Sequence, residues 1–458
     1  MNVRANASLI LCAAAIMSVA GVVVLTGSDE SLPRVAVIGG LAIFFFATRI
    51  VPELVTSLLC FLAFLLLELA PPDVIFSGFA VGGIWLTISG LIIGTSITQT
   101  GLGQQIATRI FARTGASYIR TVLLLATSGL LLGFLVPSTI PRIIVMMPVA
   151  VSLASAMGME TGSRGQVGLA ITAATSTLLP TYAILTANLP TIVHYGALET
   201  LLGIRSSYAD YFVAQLPANL VRFTLILACL LPFARNTGPV ELEDTFEKVE
   251  PMTTTQKQLL GLLFLAIAFW ATDSLHGISP AWIAMAVAAI VLVPNLNMMK
   301  SDAMKTSADM TPVFFLAGVF GVSAVAQHVG LDSQVASNLV PRLGLAAGSG
   351  LHDIYAIAGF STLISHLTTA PAAPVVLAPL ASAMAEAAQL PVLTVAMAQI
   401  IGIATPILPY QAPPLIVAMA LAHISVPTLT RVCMVLTIGV AVIGIPLTWV
   451  WWRFIGIM

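Results

Sequence analysis

Residues 8–26 (SLILCAAAIMSVAGVVVLT) and 432–452 (VCMVLTIGVAVIGIPLTWVWW) contain no charged side chain. A helix needs about 20 such apolar residues to cross the hydrocarbon core of a bilayer. Runs of this kind recur along the 458-residue chain, which is 58% hydrophobic and only 8% charged, against about 25% charge in a typical soluble domain. The chain therefore reads as an all-α polytopic membrane protein with the lipid bilayer as its first partner. Arg4 ahead of the first run resembles the start of a signal peptide, but no small-residue cleavage site follows. That run is read as a retained leading helix within residues 1–34.

The net charge of −1 does not suit nucleic acid. Cys12, Cys60, Cys229 and Cys433 sit inside apolar runs without metal-ligand spacing. No GxxxxGKS/T phosphate loop points to an ATP-driven pump. No HExxH, GxSxG or paired carboxylates at membrane depth point to an enzyme, and no cofactor is called for.

The chain is written twice. GLGQQIATRI (101–110) is echoed by GLDSQVASNL (330–339), and Pro180 in ATSTLLPTYA by Pro409 in ATPILPYQA, both at an offset of 229. Pro148 and Pro52 answer Pro379 and Pro280 at nearly the same offset. Apolar runs near 35–50, 52–70, 84–98, 166–187 and 212–234 match those near 259–272, 280–294, 312–327, 391–413 and 430–452. An odd number of crossings per copy turns the second copy upside down, a layout common among secondary transporters. The expectation is repeat 1 at 35–235, a charged cytoplasmic linker at 236–256 (ELEDTFEKVE at its centre), and repeat 2 at 257–458. With the leading helix this makes about 11 crossings. Of 18 Lys and Arg, only Arg34, Arg205, Arg342 and Arg453 then fall outside. The rest lie on the N-terminal side, except Arg142 and Arg222 at membrane depth. This distribution predicts a cytoplasmic N-terminus, and the short loops suggest a bacterial inner membrane.

Each repeat is interrupted twice. In 121–151, Pro137 and Pro141 oppose a continuous helix, which predicts a re-entrant hairpin turning at VPSTIP. In 353–382, HLTTAPAAP predicts the matching turn. Broken helices are expected at 166–190, through LLPTYAILTANLP, and at 391–417, through ILPYQAPPLIV. Non-helical backbone at this depth is tolerated only inside protein or against a watery cavity, so the four breaks should gather near the midplane. Half-helix N-termini suit an anion, and unwound carbonyls suit a small cation. Ser138, Thr139, Thr368 and Thr369 add hydroxyls that serve either. Tyr182 and Gln411 flank the two breaks as donors to an anion. Thr181, Thr186 and Asn188 lie in the same unwound stretch as Tyr182. His366 precedes the second tip; it reads first as a satisfied structural histidine and, alternatively, as the best placed histidine for a pH-sensitive role.

Arg142, in LVPSTIPRIIVMMPV, is a full charge inside the membrane and so a functional candidate. It either grips an anion bidentately or takes the electrostatic place of a coupling cation. Snorkelling to the interface is the structural alternative. The second tip has Ala373 in the same register. Arg222, in ANLVRFTL, reads as an interfacial anchor.

These residues and their layout resemble the divalent anion/sodium symporter family, within the ion transporter superfamily of citrate, dicarboxylate and sulfate carriers. That family carries Ser-Asn-Thr at each tip, the Ser ten residues ahead of a Pro. Pro148 sets the first register, where Ser138 matches, Thr139 replaces Asn and Ile140 replaces Thr. Pro379 sets the second, where Thr369, Ala370 and Pro371 stand for the three residues. The family's Leu-Pro-x-x-Thr-Pro-Pro-Asn break is matched by LPYQAPPL at Leu408, Pro409, Pro413 and Pro414, with Ala412 for Thr and Leu415 for Asn. GLGQQIA and GLDSQVA resemble its interfacial helices. The resemblance implies substrate contacts from the tips and breaks, adding Pro137, Ala370, Ala412 and Pro413 to the polar candidates. It also implies sodium near Ser138, Ile140, Thr369 and Pro371, and a homodimer whose transport domain moves past a scaffold. The function expected is secondary active transport of a small anion (dicarboxylate-like, sulfonate or sulfate) by alternating access, coupled to a cation. The alternatives are a sodium-independent exchanger with Arg142 as a built-in cation and, more remotely, an anion channel.

Overall fold

The computed structural model describes residues 31–48, 50–103, 105–106, 117–136, 138–230, 251–299 and 310–458. The leading span 8–26, most of the linker and Pro137 lie outside the described residues.

The helices are α1 (Ser31–Thr48), α2 (Glu53–Leu66), α3 (Gly82–Gln99), α4 (Tyr118–Leu135), α5 (Thr139–Ala156), α6 (Arg164–Leu178), α7 (Leu189–Leu202) and α8 (Tyr208–Leu230). After the linker come α9 (Thr254–Ala271), α10 (Pro280–Val291), α11 (Thr311–His328), α12 (Leu331–Leu339), α13 (Leu351–Leu367), α14 (Ala373–Ala388), α15 (Val392–Ile403) and α16 (Pro413–Ala422). Helices α17 (Val426–Gly439) and α18 (Ile445–Phe454) are joined by a π-turn at Val440–Gly444 into one apolar rod. Helix α9 starts within the stretch expected as linker, because Thr253 and Gln256 form a reciprocal capping box. The Gln256 amide also donates to Thr100 O at the end of α3, at 2.8 Å.

Prolines decide where the helices stop and restart. Pro180 opens a short 3-10 turn after α6, and Pro190 sits in the first turn of α7. Pro409 and Pro413 do the same between α15 and α16. A proline in a first turn gives up a donor that has no helical partner there, so each restart is cheap where a mid-helix proline is not.

The packing follows a cross-over pattern. Helix α3 packs on α10, and α2 packs on α11. Helix α4 packs on α6, and α13 on α15. The second halves of the broken helices swap sides: α7 packs on α14, and α16 packs on α5. The two broken helices are thus held by one hairpin arm from their own half of the chain and one from the other half.

Five described helices are long and apolar enough to cross a bilayer, or six if the α14–α15 pair, bent by 120°, counts as one span. The expected count of about eleven is not reached by this measure. Helices α2, α10 and α16 end at 14, 12 and 10 residues. The first hairpin also differs in length from the expectation. Helix α4 has 18 residues, about 27 Å at 1.5 Å per residue, which is nearer a full crossing than a half. The difference arises because Ser117, in extended conformation, starts α4 three residues earlier than the apolar run alone implied.

Small residues let the hairpin arms approach the broken helices closely. A Cβ on Gly129 of α4 would lie 2.5 Å from Ser176 Oγ of α6. In the second half the glycine is on the broken helix instead: a Cβ on Gly402 would meet Ala358 O and lie 2.7 Å from Ser361 Cβ. The obstructing atom at Gly402 is backbone, so Gly402→Ala must push α15 off α13. We expect a loss of about 1–3 kcal/mol, read as a lower midpoint in thermal unfolding of the detergent-solubilised protein; an unchanged midpoint contradicts the close packing.

Candidate functional site

A cavity of about 390 Å³ lies where the tips and breaks meet. Ser138, Thr139 and Ile140 come from the first tip, and Ala370 and Pro371 from the second. Tyr182, Leu189 and Pro190 come from the first break, and Ala412, Pro413 and Pro414 from the second. The facing wall is Pro52 and Glu53 of α2, Thr87 and Leu91 of α3, and Thr311 and Pro312 of α11. The first turns of α5, α7, α16, α2 and α11 therefore all border the cavity. Each brings up to about half a positive charge at its N-terminus, which favours an anion and is opposed on the α2 wall by the Glu53 carboxylate.

The first tip and first break are tied by one buried knot. Thr139 Oγ1 donates to Asn188 Oδ1 at 2.7 Å. Arg142 Nη2 donates to Thr139 Oγ1 at 2.9 Å, to Ala187 O at 2.8 Å and to Asn188 Oδ1 at 3.2 Å. Arg142 Nε donates to Ser138 O at 3.2 Å. Asn188 Nδ2 donates to Thr181 Oγ1 at 3.2 Å, and that hydroxyl donates to Leu178 O at 2.7 Å. The second tip is tied more simply, by Ala370 N donating to Gln411 O at 2.9 Å.

This arrangement corrects several expectations. Arg142 is 1% exposed and stands behind the cavity wall, outside the lining. Its Nη1 has no hydrogen-bond partner and would lie 2.8 Å from a Cβ on Gly133; the missing side chain of that glycine makes its niche. Arg142 thus neither snorkels nor reaches the cavity to grip an anion. Thr181 is absorbed by the knot. Thr368 donates to Ile364 O one turn back, at 2.7 Å, and neither it nor Thr369 borders the cavity. Gln411 Oε1 accepts from Ile407 N and Leu408 N, both at 2.8 Å, and its Nε2 lies 2.8 Å from His366 Nδ1. His366 is therefore a brace of the second break. In each case the polar group nearest a break is consumed by that break's own backbone.

Ser138, Thr139, Ile140, Tyr182, Ala370, Pro371, Ala412 and Pro413 do come together on the cavity. Among the described residues no hydrogen bond holds the Ser138 or Tyr182 hydroxyl, so both are available donors. Of the carbonyls expected to hold sodium, Ser138 O accepts from Arg142 and Thr369 O from Ala372 N and Ala373 N. Ile140 and Pro371 bring only hydrocarbon side chains.

Two residues matter more than the sequence indicated. Asn188 is the centre of the knot, and its signal was an Asn directly before a helix start with Pro at its second position. Arg222 was expected at the interface but is 1% exposed. It donates to Asn219 Oδ1 at 2.8 Å, Ile401 O at 2.9 Å and Thr405 Oγ1 at 3.1 Å. The Asn three residues before it on the same helix face was the available clue. Pro52, Glu53, Thr87, Leu91, Thr311 and Pro312 carry no motif, and only packing reveals them.

The described residues form an all-helical fold around this internal cavity, and the comparisons with known proteins place the chain among membrane transport proteins. Residues 4–458 match the family described as the sodium:sulfate symporter transmembrane region; the chain belongs to that family. It is 25% identical over 397 residues to a protein named only as a membrane protein from Cupriavidus necator, covering 83% of this chain and 76% of that one. It is 23% identical over 264 residues to the inner membrane protein YbhI of Escherichia coli, covering 56% of this chain and 55% of that one. Its fold is similar to that of the Alcanivorax borkumensis YdaH transporter, with a TM-score of 0.57 and 16% identity over 83% of this chain and 87% of that one. It is equally similar to Neisseria gonorrhoeae MtrF, with a TM-score of 0.57 and 14% identity over 82% of each chain.

Asn188→Ala removes the acceptor shared by Thr139 and Arg142 and leaves buried donors short of a partner. We expect a stability loss of about 1–3 kcal/mol, read in the same unfolding assay. No loss argues that the knot does not hold the tip.

Proposed function

We propose that the chain is a secondary active transporter of a small anion, working by alternating access, with the 390 Å³ cavity as its binding site. The observation that carries this reading is the convergence of both tips and both breaks on one cavity bordered by helix N-termini and by the Ser138 and Tyr182 hydroxyls. Family membership supports an anion as substrate, and the cavity suits sulfate or a short dicarboxylate. We further propose a homodimer in the bacterial inner membrane with a cytoplasmic N-terminus, two inverted repeats, and tips and breaks that move together against α2, α3, α10 and α11. Prolines and glycines at the breaks cannot transmit such motion alone; the knot ties tip and break into one body.

A second reading concerns coupling. Arg142 occupies Ala187 O and Ser138 O, where a coupling cation would need oxygen ligands. This favours sodium-independent exchange over sodium symport. Uptake into proteoliposomes, with and without a sodium gradient and with and without internal anion, separates them: exchange predicts no uptake without internal anion and no response to sodium. Saturation and trans-stimulation distinguish either carrier from a channel.

The cavity donors give a direct test. Ser138→Ala and Tyr182→Phe each remove one hydroxyl that no group among the described residues holds. Each should weaken anion binding by about tenfold, the effect of one hydrogen bond to a charged group, without lowering the melting point of the anion-free protein. The anion-dependent rise in melting point measures this. An unchanged rise in both variants places the anion elsewhere.

A further inference from the structure

Each of the two buried arginines reaches one of the breaks, from a different element. Arg142 donates to Ala187 O, the last carbonyl but one before α7 restarts. Arg222 reaches from α8 into the other half of the chain and donates to Ile401 O, one of the last carbonyls of α15, and to Thr405 Oγ1 within the second break. The final carbonyls of a helix have no partner within it and carry the negative end of its dipole. This applies to Ile401 O, at the end of α15, whereas Ala187 O belongs to the unwound stretch ahead of α7; membrane transporters often give carbonyls of both kinds to a coupling ion. Neither arginine ion-pairs with a carboxylate among the described residues. Tyr182, on the cavity wall, is tied to α8, the helix that carries Arg222: its carbonyl accepts from Tyr211 Oη at 2.7 Å.

We infer that Arg222 is a second fixed cation, seated in the second break as Arg142 is in the first, and that the pair makes anion movement an obligatory, sodium-independent exchange. The physical reason is the cost of the empty carrier. Two buried positive charges with no ion-paired carboxylate among the described residues are expensive in a low-dielectric surrounding. A bound anion offsets that charge, so the loaded site crosses readily and the empty site does not. A transporter that captures free sodium can shed its charge by releasing the ion; one whose cations are covalent cannot. This inference rests on the proposed anion carrier and adds the second break to it. Arg222 acts as a positioning charge, since it stands outside the cavity lining.

The test uses the full-length protein in proteoliposomes, with radiolabelled sulfate or succinate outside, the same anion or none inside, and sodium or choline as the cation. The wild type should take up label only against internal anion, equally in sodium and choline. Arg222→Gln keeps a planar side chain that can donate to Ile401 O but loses the charge. It should exchange about tenfold more slowly and show uptake into vesicles without internal anion. Arg222→Lys keeps the charge and should retain the internal-anion requirement. Melting points of both variants confirm that they fold. The inference is overturned if sodium drives net uptake in the wild type. It is also overturned if folded Arg222→Gln keeps the strict requirement, or if Arg222→Lys loses it as Arg222→Gln does, which would make the hydrogen bonds rather than the charge responsible. If neither anion moves or binds in the wild type, the carrier reading fails together with this one. If anions exchange in the wild type but the Arg222 variants depart from these expectations, the carrier stands and the role of Arg222 falls.

Discussion

A backbone that leaves the helix at membrane depth must have its polar groups satisfied by the protein itself. The rest of this structure depends on meeting that demand four times over. At the first tip and break the demand is met by a single knot: Arg142 reaches Ser138 O and Ala187 O, while Thr139, Asn188 and Thr181 bond to one another. At the second it is met by Gln411, whose side chain accepts from Ile407 N and Leu408 N and whose carbonyl accepts from Ala370 N. The two solutions differ chemically. One uses a cation inserted into the break, the other an amide folded back upon its own turn, with Arg222 approaching from a separate helix.

The cross-over packing follows from the same demand. A half-helix of 10 or 14 residues, such as α16 or α7, is too short to be held by its own hydrogen bonds. It needs a partner along its length, and each half-helix takes a hairpin arm from the other half of the chain, α16 on α5 and α7 on α14. Glycine at the tightest approaches between the first halves and their own arms, Gly129 and Gly402, removes the side chain that would hold the backbones apart. Close van der Waals contact replaces the hydrophobic driving force that lipid does not supply between helices.

The breaks themselves were legible in the sequence, since Pro180, Pro190, Pro409 and Pro413 leave the helix few alternatives. The cavity was half legible. Its tip and break residues follow from where the prolines fall, whereas Glu53, Thr87 and Thr311 arrive through helix packing that no local pattern encodes. Polar residues misled most. Thr181, Thr368 and Gln411 looked like ligand contacts because they are polar at depth, yet in this structure their hydrogen bonds go to the nearby protein. Arg142 was singled out either as a direct grip on an anion or as a built-in cation, and sequence could not choose between them because it does not say which side of a hairpin tip a side chain takes. Arg222 was misplaced because an arginine near the start of an apolar run reads the same whether it points to the interface or to the Ile401 carbonyl.

What distinguishes this site is that its positive charge stands behind the wall instead of within it. Thr139 lines the cavity, and its hydroxyl accepts from Arg142 while donating to Asn188. An anion in the cavity is therefore separated from the guanidinium by one hydrogen-bonded hydroxyl. In a medium of low dielectric the attraction across such a gap remains substantial, while on the proposed reading the anion would form its bonds with more easily exchanged groups, the hydroxyls of Ser138 and Tyr182. A guanidinium placed in the cavity would hold a dianion by two charge-assisted bonds and release it slowly. Moving the charge back by one hydroxyl keeps the electrostatic selection and lets the ligand leave, which is the compromise a carrier needs between binding on one side and release on the other.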